Sequence, residues 1–374
     1  MGAPLSEMTI NGFKSIRSLS NFKLNNLNIL IGSNGSGKSN VVDFFRLLES
    51  MAVRQLSTYA LSRGVDSLFF NGPKETEEIY AELLFKINGY RFSLRPSATE
   101  SLFVSREESA KYNDWAGYEW RRYEGARAEA RLADWGGEGG RSIVSGFINV
   151  CGHIFDAISS WRVYHFHDTS YTAPLRRSGE AQDTEGLRND GSNLGPFLLH
   201  LQEEHPLVYQ RIVNTIQLIA PYFQDFKLTR RTTGTGIETV RLEWMQKHSN
   251  FPFTSAHFSD GTLRFIALAT ALLQPDPPST IVIDEPELGL HPYALTVLSA
   301  LLSEAAQRMQ VIVATQAPAL LNDVEPDNIV IVERKDGQTV LHRLNRPDID
   351  SWLDEYSLSE LWEKNVIHAG PDHA

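Results

Sequence analysis

The sequence is poor in cysteine, in long apolar runs and in coiled-coil repeats, and each shortage excludes a class of protein. Cys151 is the only cysteine in 374 residues, so no intrachain disulfide can form, and a cytoplasmic location is expected. The longest apolar run, residues 265–273, is too short to cross a bilayer, so no membrane partner is expected. No heptad pattern is sustained, which excludes a long coiled-coil arm.

Positive charge is also in short supply. The 35 lysines and arginines face 46 acidic residues, which gives a net charge of −11. This balance argues against a strongly basic nucleic-acid clamp, whose affinity comes mainly from neutralised phosphates. A local basic groove is still compatible with it, so DNA stays a candidate partner. The 42% of hydrophobic residues supply ample core for one large domain with an inserted lobe or for two domains.

Residues 32–39, Gly-Ser-Asn-Gly-Ser-Gly-Lys-Ser, match the glycine-rich loop that binds nucleotide phosphates. An apolar strand precedes the loop and a helix follows it, so its backbone N–H groups and the helix N-terminus would face the same anion. Lys38 would reach the terminal phosphates of ATP, and the Ser39 hydroxyl would ligate Mg²⁺. The residues expected to contact the nucleotide here are Asn34, Gly35, Ser36, Gly37, Lys38, Ser39 and Asn40.

Two adjacent carboxylates follow a second apolar strand, residues 280–283. Its β-branched composition is typical of a central parallel strand, whose end lies at the rim of the sheet where ligands bind. Asp284 would hold Mg²⁺ through water, and Glu285 would orient or deprotonate the attacking water. The alternative is a capped strand end before Pro286.

A serine turn, residues 259–262, precedes an apolar helix over residues 263–273. Taken alone this is an ordinary helix N-cap. Its position just upstream of the acidic strand favours a second phosphate-binding helix start, with Ser259 and Gly261 as nucleotide contacts. If both motifs occupy their usual edges of the fold, this turn serves the phosphate loop of a neighbouring subunit rather than its own.

With these motifs in this order, the chain resembles the ABC-type ATPase heads of the RecF/SMC/OLD group. Residues 10–16 resemble the opening strand of that group, and residues 352–362 resemble the tail of its standalone ATPases, many of them encoded near phage-defence or DNA-repair genes. The resemblance implies an α/β P-loop NTPase head with a mixed sheet, an antiparallel β lobe and an inserted, mostly helical lobe. It adds Lys14 as a nucleotide contact. It also implies a head-to-tail homodimer around two ATP molecules, each touched by the partner's Ser259 turn.

Gln316 stands where ABC-type ATPases usually carry a switch histidine, at the end of the apolar strand formed by residues 311–315. Glutamine can sense the terminal phosphate by hydrogen bonding, but it cannot titrate near neutrality. The predicted catalytic residues are therefore Glu285, Lys38 and Gln316, with slow hydrolysis expected.

Three parts are expected along the chain: residues 1–100 and 255–374 as the two halves of the head, and residues 101–254 as the inserted lobe. Hairpins are predicted at Asn88-Gly89, at Asp336-Gly337 and within residues 226–244, one or two helices over residues 195–222, and a closing helix bearing Trp352 and Trp362. The arginines and tryptophans of residues 115–135 favour either single-strand binding or an amphipathic helix running into a glycine loop.

Two further patterns are weaker. His165 and His167 would share one face of a strand, which superficially suggests a metal site. No further cluster of candidate ligands in the sequence supports that interpretation. This strand could instead carry the residue that senses the metal-bound phosphate. Glu333 followed by Asp348 and Asp350 faintly resembles TOPRIM nuclease spacing, but too few residues follow Gln316 for that module, so nuclease activity would need a partner.

The first predicted function is an ATP-gated, dimerising, Mg²⁺-dependent ATPase. The resemblance, and not the residue chemistry, implies a setting in DNA repair or anti-phage defence. The alternative is a regulatory module that holds ATP, rarely hydrolyses it and restrains a separate effector protein. Turnover with and without DNA discriminates the two. A P-loop kinase is disfavoured because no substrate lid is recognisable.

Overall fold

The structure is a computed structural model that describes residues 2–97, 101–135, 148–353, 355–364 and 366–367. The helices are α1 (Lys38–Ala52), α2 (Leu56–Arg63), α3 (Ile148–Ser159), α4 (Leu194–Glu204), α5 (Pro206–Ile219), α6 (Asp260–Leu273), α7 (Pro292–Ala305), α8 (Arg346–Leu353) and α9 (Leu358–Glu363).

The first nine strands are β1 (Glu7–Phe13), β2 (Ile16–Lys23), β3 (Leu27–Ile31), β4 (Ile79–Phe85), β5 (Asn88–Pro96), β6 (Leu102–Asn113), β7 (Gly117–Tyr123), β8 (Arg162–Tyr164) and β9 (Gly179–Glu180). The other nine are β10 (Phe223–Phe226), β11 (Arg230–Thr232), β12 (Glu238–Val240), β13 (Glu243–Gln246), β14 (Pro252–Thr254), β15 (Thr280–Asp284), β16 (Gln310–Thr315), β17 (Ile329–Lys335) and β18 (Gln338–Arg343).

A six-stranded mixed sheet forms the centre, in the order β18-β17-β3-β16-β15-β8. All neighbours in it are parallel except β17 and β18, which form the predicted hairpin. Its turn, Asp336-Gly337, has both residues at positive φ, as a type I′ hairpin requires. Because β3, β16 and β15 run in the same direction, the loops that follow them meet at one edge of the sheet.

The central strands are apolar throughout because both faces of the sheet are covered. Successive side chains point to opposite faces. Ile29 and Ile31 of β3 therefore lie in a core with helices α4 to α7, whereas Leu30 lies in a second core with α1, α2, α3 and the antiparallel sheet. Strand β15 divides in the same way, with Ile281 and Ile283 on one side and Val282 on the other. This packing fixes the strand ends that carry the site.

The second sheet is antiparallel, in the order β2-β1-β4-β5-β6-β7. Two expectations are wrong here. Asn88 and Gly89 belong to strand β5, paired with Phe85 and Leu84, so the turn of that hairpin is formed by residues 86–87 instead. The basic-aromatic segment, residues 115–135, contributes strand β7, which pairs antiparallel with β6, rather than an amphipathic helix. The glycine loop that follows lies outside the described residues.

The remaining insert contains α4 and α5, which confirms the helices predicted there. The predicted hairpin is present but each of its strands is interrupted: β11 pairs with β12 in one three-stranded sheet, and β10 pairs with β13 in another. At the C-terminal end, Trp352 and Trp362 lie on two short helices, α8 and α9, and not on one. Within the described residues, no helix is long and apolar enough to cross a membrane.

Candidate functional site

The loop of residues 32–39 leaves β3 at the shared strand edge and runs into α1. Gly35 and Gly37 have φ values of 79° and 107°, which a residue with a side chain rarely adopts. Gly37 is the N-cap of α1 and provides no side-chain cap, so the first amide groups of the helix have no side-chain acceptor there. Asn34, Gly35 and Ser39 are exposed. The loop therefore presents backbone donors to an anion from solvent.

Lys38 is buried, with 4% of its surface exposed, and its ammonium donates hydrogen bonds to Gly32 O at 2.8 Å and Ser33 O at 3.0 Å. Burial lowers the pKa of Lys38, and the carboxylates of Glu285, Glu287 and Asp284 oppose this shift. The structure therefore brings the two predicted motifs together, since the lysine of the loop lies in the electrostatic field of the acidic strand end.

The loop is anchored by residues that the sequence did not indicate. Thr339 Oγ1, on β18, donates to Ser36 O at 2.8 Å and lies 2.6 Å from Ser15 Oγ. The Asn40 amide bonds to the same Ser15 hydroxyl. A Cβ atom on Gly37 would lie 1.9 Å from Thr339 Oγ1, so the close approach of β18 requires glycine at that position. Ser15 and Thr339 are far from the motif in sequence and have no pattern of their own.

Asp284 ends β15 beside β16, and its carboxyl is buried. Burial raises the pKa of Asp284, which Arg46 opposes, and Asp284 Oδ1 has no hydrogen-bond partner. A buried, unpartnered carboxylate oxygen is costly unless a cation or water takes it. Ser36 Oγ in the loop is likewise buried and without a partner. The unpartnered oxygen of Asp284 fits Mg²⁺, which prefers oxygen ligands and keeps several waters.

Glu285 follows in the left-handed region, with φ 45°. Its carboxylate Oε1 accepts from Gln316 Nε2 at 2.8 Å, and the Gln316 backbone N–H donates to Glu287 Oε1 at 2.7 Å. The predicted base and the predicted switch residue are thus in direct contact. Glu287, which the sequence did not single out, joins them because residue 287 follows one strand end and residue 316 follows the next.

His167, which the sequence indicated only as half of a possible metal-binding pair, is a further site residue. Strand β8 ends at Tyr164 beside β15, and His167 Nε2 lies 3.0 Å from Asp284 O and 4.0 Å from Glu285 Oε2. The His165 and His167 rings lie together, 3.9 Å between centroids, and burial lowers the pKa of His165 to about 4. Among the described residues, no group of three or more His, Cys, Asp or Glu could hold a metal ion. The signal was the histidine pair itself.

The Ser259 turn begins α6 away from these contacts. Ser259 is the N-cap, its hydroxyl accepts from the Thr262 N–H at 3.1 Å, and its side chain is exposed. Gly261 packs against Gly289 so closely that a Cβ there would lie 2.0 Å from Gly289 O. Asp260 pairs with Arg176 at 2.8 Å. The turn is ordered by its own subunit and faces outward.

Lys14 lies against α1. Its ammonium pairs with Asp43, which also holds Arg46 at 2.7 Å. Burial alone would raise the pKa of the Asp43 carboxyl, but its bonds with Lys14 and Arg46 hold it below the usual value. The structure thus gives Lys14 a carboxylate partner one turn beyond the phosphate loop, and its nucleotide contact stays a prediction.

The phosphate loop, the acidic strand end and the mixed sheet define a P-loop NTPase with the head fold of ABC-type ATPases. The chain belongs to the family described as "AAA domain, putative AbiEii toxin, Type IV TA system", whose model matches residues 27–322. The fold and family predicted from the motifs are confirmed. A comparison with curated proteins gave no match.

Solved structures support the same fold. The chain is similar to an SMC head bound to the C-winged helix domain of ScpA, with a TM-score of 0.56 and 16% identity, over 92% of this chain and 99% of that one. It is also similar to an SMC head with an extended coiled coil bound to the C-terminal domain of ScpA, derived from Pyrococcus furiosus. That match has a TM-score of 0.55 and 13% identity, over 94% of this chain and 99% of the other. At these identities the likeness establishes the fold alone.

Proposed function

We propose that the protein binds ATP with Mg²⁺ and hydrolyses it slowly. The observation that carries this proposal is the convergence of Lys38 with the carboxylates of Asp284, Glu285 and Glu287 at the uncapped start of α1. Backbone donors and a lysine on one side, with acidic residues on the other, suit a triphosphate that carries a divalent cation. When ATP binds, the Lys38 ammonium would exchange its hydrogen bonds to Gly32 O and Ser33 O for bonds to the terminal phosphates.

The residues that would hold Mg²⁺ are Ser39 and Asp284, the latter through its unpartnered Oδ1 and a water molecule. When bound, the cation neutralises phosphate charge. Glu285 orients the attacking water and accepts its proton. Gln316 keeps the Glu285 carboxylate in place through its amide and cannot exchange a proton near neutral pH. Turnover is therefore slow compared with a site that has a histidine at position 316.

The finer proposal is a head-to-tail dimer that closes over two ATP molecules. It is supported by the exposed Ser259 turn, which is ordered by its own N-cap hydrogen bond to Thr262 N–H. A hydroxyl that accepts from the Thr262 N–H can still donate to a phosphate brought by another subunit. The closed dimer thus completes each site with the partner's turn.

Glu285→Gln tests this closure. The amide keeps the size of the side chain and removes the proton acceptor, so ATP stays bound and the dimer accumulates. Multi-angle light scattering with saturating ATP and Mg²⁺ should give twice the monomer mass for the variant, and turnover should fall by about 100-fold or more. Glu363→Gln, an exposed acid away from the site, is the control. A Glu285→Gln protein that stays monomeric under these conditions contradicts shared-site closure.

The second candidate is a regulatory module that retains ATP and restrains a separate effector protein. The Gln316–Glu285 contact favours it, because a non-titrating residue holds the base. The SMC heads similar to this chain are bound to domains of another protein, ScpA, which also suits a separate partner. Since the family description names a toxin–antitoxin system, we propose a defence setting rather than DNA repair.

Steady-state turnover with and without DNA separates the two candidates. Stimulation by DNA supports the gated ATPase. Very slow turnover that DNA does not change, together with ATP that survives gel filtration, supports the regulatory module.

A further inference from the structure

Building on the proposed function, we infer that His167 is a positioning residue that holds Glu285 through the peptide group joining Asp284 to Glu285. No sequence motif assigns this role. It rests on the hydrogen bonds around that single peptide group and on the contacts that hold His167 itself.

The peptide group lies where β15 ends and the chain turns. Glu285 has φ 45°, a conformation that is unfavourable for a residue with a Cβ and that needs support from its surroundings. The N–H group of this peptide, which belongs to Glu285, donates to Ala314 O at 2.7 Å. The carbonyl group, which belongs to Asp284, has its oxygen 3.0 Å from His167 Nε2. Because a carbonyl only accepts, Nε2 carries the hydrogen, and both ends of the peptide group are held.

The carboxylate of Glu285 is bonded on one side and faces His167 on the other. Gln316 Nε2 donates to Oε1 at 2.8 Å, and His167 Nε2 lies 4.0 Å from Oε2. Gln316 follows β16 and His167 follows β8, the two neighbours of β15 in the sheet. The base therefore lies between residues from both adjacent strands: Gln316 bonds its carboxylate, and His167 bonds the peptide group that carries it.

His167 is itself held firmly enough to position another group. The buried Arg264 donates to Phe166 O at 2.8 Å and to His167 O at 3.1 Å. The His165 ring packs on the His167 ring, and the backbone N–H of His165 donates to Asn189 O at 3.1 Å. Arg264 belongs to α6, the helix that begins at the Ser259 turn. The same contacts therefore connect the proposed dimer surface to the catalytic carboxylate of one subunit.

A pair of substitutions isolates the hydrogen bond. His167→Phe keeps a flat ring and removes the donor. His167→Gln places an amide N–H₂ close to where Nε2 stands and keeps the donor. His342→Phe, at an exposed histidine on β18, controls for the loss of a histidine as such.

We expect His167→Phe to lower turnover at saturating ATP by about tenfold while the Kd for a fluorescent ATP analogue stays within about twofold. Backbone amide hydrogen–deuterium exchange in the segment that contains Asp284 and Glu285 should become about tenfold faster, because the peptide group between them loses one of its two hydrogen bonds. His167→Gln should recover most of both properties. The exchange readout does not depend on activity.

Unchanged exchange in His167→Phe overturns the inference, and so does a loss of ATP affinity as large as the loss of turnover. Equal effects of the phenylalanine and glutamine variants also overturn it, because they would reflect packing rather than the hydrogen bond. If the wild-type protein shows no ATP turnover at all, the proposed function fails separately, and the exchange comparison alone decides the role of His167.

Discussion

Two helix starts in this protein, those of α1 and α6, follow a small-residue turn, yet they differ in how their amide groups are satisfied. At α1 the N-cap is Gly37 and has no side-chain cap, and the loop before it is anchored from behind by Thr339. At α6 the N-cap is Ser259, which accepts from Thr262 N–H, and Asp260 pairs with Arg176. Helix α1 therefore leaves its first backbone N–H groups free of side-chain caps for a ligand, whereas α6 caps its own N–H group with the Ser259 hydroxyl.

This difference indicates unequal roles for the two motifs. The α1 start can bind a phosphate group with residues of a single subunit, because its donors converge and Lys38 is already buried beside them. The α6 start offers mainly one exposed hydroxyl, so in the proposed dimer its contribution would depend on what the other subunit brings to it. The substitutions below test this ranking, from the largest expected effect to the smallest.

Lys38→Ala should have the largest effect. Removing the ammonium takes a charge-assisted contact from the terminal phosphates, so ATP affinity should fall by about 100-fold or more. Fluorescence titration with an ATP analogue measures this directly. Lys74→Ala, at an exposed lysine, should bind ATP like the wild type. Comparable affinities for Lys38→Ala and the wild type would contradict the assignment of the phosphate loop.

Ser259→Asp should preserve the N-cap, because aspartate also accepts from the N3 amide. It places a negative charge against the partner's triphosphate and should lower turnover at least about tenfold, whereas the neutral cap Ser259→Asn should be milder.

Mixing Ser259→Asp with Lys38→Ala protein extends that test. A mixed dimer has one site with an intact Lys38 and an intact partner Ser259. Activity should return to at most about a quarter of the wild-type value, because half of the dimers are mixed and each holds one good site of two. Absence of any recovery would mean that the two residues serve a site within one subunit.

Thr339→Val tests the support behind the α1 start. Valine matches the shape of threonine but leaves Ser36 O without the hydroxyl that donates to it, at a cost of about 1–3 kcal/mol in the free energy of unfolding. Urea denaturation measures this change, and Thr339→Ser, which keeps the hydroxyl, should be closer to the wild type. A wild-type unfolding curve for the valine variant would show that the loop holds its shape unaided.

Lys14→Met should have the smallest effect on nucleotide binding. Its ammonium pairs with Asp43, which retains Arg46 and Arg63 as further partners. We expect ATP affinity to change by less than about threefold, with a loss of stability of about 1 kcal/mol. A larger loss of affinity in the titration would support the predicted nucleotide contact of Lys14.

Much of the head was predictable from the sequence because its signals are local. The strand, glycine loop and helix around Lys38 are contiguous, and the apolar strand before Asp284 specifies a buried position by composition alone. The Asp336-Gly337 turn was also predicted correctly. The Asn88-Gly89 turn was not, because strand pairing moved the turn to residues 86–87 and placed the dipeptide within β5. Pairing over a whole strand outweighs the preference of two residues.

The supporting residues of the site were not predictable in the same way. No motif assigned a role at the site to Thr339, Ser15 or Glu287, and His167 drew attention only as half of a histidine pair. Each acts through a partner that is distant in the chain, such as Thr339 on Ser36 O and His167 on Asp284 O. A contact between residues that are distant in the chain produces no periodicity or fixed spacing in the sequence, so the sequence cannot predict it.

By itself, the sequence determined that this protein carries a phosphate loop and an acidic strand end. Each of these features depends on signals that lie within a few residues of one another: the conformational freedom of glycine, the start of a helix and an apolar run. The tertiary structure alone decided which side chains hold those groups in place. Only the order of the strands in the sheet sets Gln316 and His167 on either side of Glu285, and hydrogen bonds form between atoms that are close in space, wherever they lie in the chain.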